Sequence, residues 1–143
     1  TFNEAHQEQV MPFFAQELFE KAERRGDLSS VIYLESLKEC WRLSRQQGID
    51  AFMQKHGLDA FIAPTAGPAW LTDSVNGDPV SIETSFTPSA VAGYPGISVP
   101  LGFISGLPVG LSFYGGAWSE RVLLRCAHAF ENATKAQIAP KIS

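Results

Sequence analysis

Ser89–Gly116 reads SAVAGYPGISVPLGFISGLPVGLSFYGG, and this stretch decides the fold class. Glycine and proline punctuate two runs of β-branched and aromatic residues, which predicts strands joined by a turn rather than a helix. Gly96–Phe103 is read as one strand and Val109–Tyr114 as the next, with Ser105-Gly106-Leu107-Pro108 as the turn of a β-hairpin. Pro100 has no amide hydrogen, so its strand is expected to be bulged or to lie at an edge. The stretch is apolar enough to suggest a membrane span, but Pro95, Pro100, Pro108 and the intervening glycines would disrupt a spanning helix.

Working outward, Thr87–Gly93 fits a short helix with Pro88 in its first turn. Upstream, Leu58–Ala63 (LDAFIA) is bounded by Gly57 and Pro64 and predicts a short buried strand. From Thr65 to about Ser81 the chain reads as loop, with Gly67-Pro68 and Asn76-Gly77-Asp78-Pro79 as turn chemistry. Loops of this length in compact domains are commonly functional. Downstream, Ser119 is expected to cap a last helix, Glu120 to face its positive end, and Val122, Leu123, Cys126, Ala127 and Phe130 to form its apolar face.

The first third reads as helical. Pro12 suits a first helical turn, followed by Phe14, Leu18 and Ala22 at fourfold spacing, with Gly26-Asp27 as the stop. Ser29 or Ser30 can cap a second helix carrying Leu34, Leu37 and Trp41, which Gly48 interrupts before Ile49, Phe52 and Met53 lead to Gly57. These aromatics are expected to be core contacts. The fold class is therefore α/β, with a partial mixed sheet made of a strand near residues 59–63 and a hairpin near 96–114, covered by helices. Residues 1–143 are read as a single segment, helical over 1–57, with strands, loop, hairpin and last helix over 58–143.

A chain of 143 residues with 45% apolar and 18% charged residues is globular in composition. Its net charge of −4 and lack of long like-charge runs give no electrostatic reason to expect nucleic acid or an anionic membrane. Cys40 and Cys126 are expected to be reduced, which fits a cytoplasmic location. The opening TFNEAHQEQV has neither the basic nor the apolar region of a signal peptide and reads like the interior of a longer protein.

The chain carries no Cys-x-x-Cys, His-Glu-x-x-His, phosphate-loop or dinucleotide pattern. Gly96-Ile97-Ser98-Val99-Pro100 comes nearest to a nucleophile elbow, but has proline where Gly-x-Ser-x-Gly needs glycine, so Ser98 is read as structural. His6, His56 and His128 are widely separated and are read as surface or helix-end residues. Asp59, Asp73 and Asp78 fit local turn or capping roles, whereas Glu83 stands just before the glycine- and proline-rich block.

Three pieces together resemble the amidase signature family of serine amidohydrolases: LDAFIAPTAGPAW (58–70), AVAGYPGISVPLGF (90–103) and GLPVGLSFYGGAWSERVLLRCAHAFE (106–131). FNEAHQEQVMPFFAQELFEKAE and the APTAGPAW…NGD pairing look most like bacterial peptide amidases, which hydrolyse C-terminal peptide carboxamides.

The resemblance implies an amide hydrolase with a serine nucleophile, a bridging serine on a cis peptide and a lysine, with backbone amides for the oxyanion. It implies neither a metal nor an organic cofactor. Its catalytic groups belong to the family's N-terminal portion, and none maps onto this chain, which alone is expected to be inactive. This segment would supply sheet, core and one wall of the substrate site. Glu83, by its spacing before the Gly-x-Pro segment, would either hold a cationic substrate group or face water, and Thr65, Trp70 and Tyr94 are further wall candidates, with Trp70 and Tyr94 equally readable as core aromatics. The expected partner is a small-molecule or peptide amide, with self-association possible through an open sheet edge. The alternative is a non-catalytic binding module that folds alone and seals its own surface.

Overall fold

A computed structural model describes residues 2–78 and 84–139, so Glu83 lies outside the described residues. The chain divides into two compact units, Thr1–Ser36 with Leu71–Pro79, and Leu37–Trp70 with Val80–Ser143.

The first unit holds α1 (Phe2–Ala5), α2 (Gln7–Val10), α3 (Glu17–Glu23) and the start of α4 (Val31–Trp41). Pro12 does not open a helix as expected. It closes one: α2 ends at Val10, Met11 leaves helical geometry (φ −134°, ψ 49°), and helix resumes only at Glu17. The ring of Pro12 disfavours helical geometry in the residue before it, and the missing amide removes a helix donor. Ser30 caps α4 as expected, its Oγ accepting from the Tyr33 amide at 3.3 Å. In the loop, Asp73 Oδ1 accepts from the amides of Val75 (2.9 Å) and Asn76 (2.8 Å), a side-chain-built turn. The Asn76 amide and side chain, then the Val75 amide, hold the Asp73 carboxyl below its ordinary value.

In the second unit the chain continues from α4 through wide π-type turns over Arg42–Ile49 and into α5 (Asp50–His56). Gly48 breaks the helical path there (φ −104°, ψ −108°), as its position suggested. A Cβ at Gly48 would lie 2.6 Å from the Leu43 carbonyl oxygen, so only glycine fits the bend. Gly57 closes α5 in the left-handed region at φ +62°. The aromatics Trp41 and Phe52, expected in the core, remain exposed, whereas the aliphatic Ile49 is buried.

Three strands follow in the order β1-β3-β2: β1 (Phe61–Pro64), β2 (Gly96–Ile104) and β3 (Leu107–Tyr114). Helices and sheet combine as expected, but both pairings are antiparallel, so these strands form no mixed sheet. The hairpin turn is tighter than read from sequence. Ser105 and Gly106 alone form it, at φ +51° and +81°, and Leu107 and Pro108 already belong to β3. Positive φ at both central residues matches the right-handed twist of the strands. The register shifts between Pro100 and Gly102 on the outer strand β2, so Pro100 sits both at a bulge and at an edge. β1 begins at Phe61 and is not a buried strand: as the other outer strand it leaves Ile62 64% exposed.

Alternation gives the sheet two unlike faces. Val99, Leu111 and Phe113 point to one, where α7 (Glu120–Thr134) covers them with Leu123, Ala127 and Phe130. Phe113 and Phe130 meet edge-on at 6.1 Å between ring centres. The apolar face read for α7 is thus the core face. Ser119 precedes it but does not cap it with its side chain: its hydroxyl donates instead to the Gly116 carbonyl at 2.8 Å. α6 (Thr87–Ala92), with Pro88 in its first turn, packs on the π-type stretch.

Candidate functional site

The sheet face away from α7 carries the polar residues. Ser98 and Ser112 pair across β2 and β3, and Ala63 faces Ser112 from β1. Thr65, one residue beyond β1, reaches back over this face. Its Oγ1 lies 2.6 Å from Ser98 Oγ and accepts from the buried Ser112 hydroxyl at 2.8 Å. Its backbone amide donates to Gly110 at 2.7 Å, and its carbonyl accepts from the Ser85 amide at 3.1 Å. A Cβ at Gly110 would stand 2.7 Å from Thr65 Oγ1 and 2.8 Å from Ser98 Oγ, so the missing side chain makes room for the hydroxyls to meet.

Beside this face lies an open groove of about 1100 Å³. Leu43, Phe52, Phe61, Val91 and Tyr114 give it apolar walls, while Ser44, Gln47, Lys55, Thr84 and Thr87 supply polar points. Phe61 stacks on Tyr114 at 5.0 Å and meets Phe52 at 5.7 Å, fixing the sheet end of the groove. A mostly apolar cleft with a few polar groups is the usual form of an organic-ligand site.

The expected wall residues fall in different places. Thr65 is the hub of the hydroxyl cluster. Tyr94, between α6 and β2, lines a separate recess of about 430 Å³ with Arg45, Trp118 and Glu120. Its hydroxyl donates to Asp50 Oδ2 at 2.9 Å. Burial first, and then that bond, raise the Tyr94 phenol above its ordinary value. The Arg45 guanidinium lies 5.6 Å from the Tyr94 ring centre and 4.2 Å over Trp41, and its Nε donates to the Ala92 carbonyl at 2.6 Å. Trp70 is 44% exposed.

Ser98, read from sequence as structural, faces Ser112 across β2 and β3 and lies 2.6 Å from Thr65 Oγ1. Among the described residues no group of three or more His, Cys, Asp and Glu could hold a metal, and no helix is long and apolar enough to cross a membrane. Sequence reasoning missed Ser112 and Ser85, whose roles depend on strand pairing and on contacts between residues far apart in the chain.

The sequence pattern of the family described as Amidase matches residues 4–124. The chain belongs to that family. Among curated Amidase relatives, a glutamyl-tRNA(Gln) amidotransferase subunit from Marinobacter nauticus is 44% identical over 96 residues, 65% of this chain and 19% of that protein. Among solved structures, peptide amidase PAM in complex with the competitive inhibitor chymostatin superposes with a TM-score of 0.91 at 42% identity, over 99% of this chain and 28% of that one. Native peptide amidase from Stenotrophomonas maltophilia gives a TM-score of 0.87 at 41% identity, over 98% and 28%. This Amidase chain therefore spans well under a third of the relatives it matches.

Proposed function

We propose that the chain is the C-terminal part of an amide hydrolase acting on C-terminal peptide carboxamides. The observation that carries this reading is the likeness to a peptide amidase over 99% of the chain at 42% identity. In this reading residues 1–143 form one segment of a larger domain, and the Ser–cis-Ser–Lys group lies in the portion upstream. This segment contributes sheet, core and one wall of the substrate site. Thr65, Trp70 and Tyr94 belong to that wall, and Glu83 holds a cationic group of the substrate. The protein works in the cytoplasm, in keeping with the free thiols of Cys40 and Cys126.

The self-sealing binding module is disfavoured by the surface. Leu18, Phe19 and Ile32 in the first unit and Ile62 in the second are exposed, a pattern expected where further chain would cover them. The test is ammonia release by the full-length protein from peptide carboxamides and from matched free acids. Turnover confined to the carboxamides supports the reading, and no turnover on any amide defeats it. Glu83→Gln is expected to raise KM for substrates with a free ammonium group and to spare those without one.

A further inference from the structure

Hydrogen bonds made by Thr65 join two parts of the fold. Its Oγ1 takes the Ser112 proton at 2.8 Å and lies 2.6 Å from Ser98 Oγ. A hydroxyl has one proton to give. Thr65 Oγ1 accepts from Ser112 and shares one further hydrogen with Ser98 Oγ, a bond in which either oxygen can be the donor. The backbone of Thr65 meanwhile holds Gly110 on β3 and Ser85 ahead of α6. Ser85 lies between Thr84 and Thr87, both of which line the groove. One residue therefore ties the sheet to the start of the groove wall.

We propose that Thr65 is a positioning residue for substrate binding, a role that rests on the hydrolase reading above. It acts through its hydroxyl bond to Ser98 and its main-chain bond to Ser85, holding the α6 side of the groove at a fixed distance from the sheet. Gly110 is part of the device, since a methyl there displaces both hydroxyls.

The test uses the full-length enzyme and a peptide carboxamide. Thr65→Val keeps the branched shape and removes the hydroxyl. It is expected to raise KM about tenfold, the scale of one lost hydrogen bond, with kcat within about twofold of the parent. Thr65→Ser restores KM, and Gly110→Ala reproduces the rise. Ser98→Ala, at an exposed position, gives the same reading should Thr65→Val fail to fold. A merely structural role would lower the thermal midpoint and leave KM unchanged. An unchanged KM in folded Thr65→Val, or in Ser98→Ala where the former does not fold, overturns the positioning role alone. An unmutated enzyme that releases no ammonia from any carboxamide overturns the hydrolase reading and this role with it.

Discussion

The Tyr94 hydroxyl donates to Asp50 Oδ2 at 2.9 Å, tying the connection between α6 and β2 to the first turn of α5. Burial and this bond raise the phenol above its ordinary 10.0. A group whose folded value is raised stabilises fully below its unfolded value, and that contribution is lost as pH climbs through the folded one. Tyr94→Phe is therefore expected to cost about 1 kcal/mol at neutral pH. The gap between the two proteins should close as pH rises beyond 10.0, which thermal melts across an alkaline series would show.

Leu123 and Leu124 are neighbours on α7 with opposite surroundings: Leu123 is 2% exposed within the core, and Leu124 is 58% exposed. Leu123→Ala should cost about 2–5 kcal/mol through the cavity it leaves. Leu124→Ala should stay within about 0.5 kcal/mol. Denaturant midpoints of the two variants check the orientation of the helix on the sheet.

Gly48 and Gly67 make a similar pair. A Cβ at Gly48 meets the Leu43 carbonyl oxygen at 2.6 Å, whereas one at Gly67 meets nothing within 4 Å. Gly48→Ala should lose about 1–3 kcal/mol as the bend before α5 is forced open. Gly67→Ala should melt with the parent.

What the sequence made legible was local. The apolar face of α7, the bend at Gly48 and the bulge at Pro100 each follow from a few adjacent residues, and each stands where it was expected. The misreadings arose where two local rules competed. Pro12 can open a helix or end one, and only the preceding α2 decides. The hydroxyl cluster was not legible at all, since Thr65 lies 33 residues from Ser98 and 47 from Ser112. Only the order β1-β3-β2 brings them together.

Both outer strands of that sheet present open edges among the described residues, and Ile62 on β1 is exposed. The purified 143-residue chain is expected to self-associate, visible as a concentration-dependent mass in light scattering. Ile62→Lys should shift it toward monomer by placing a charge on the edge strand.

The most direct test of the account is ammonia release from peptide carboxamides by the 143-residue chain beside the full-length protein. The account predicts turnover by the full-length protein and none by the chain alone. Turnover by the chain, in a preparation free of longer protein, would contradict it and place a catalytic group among these residues.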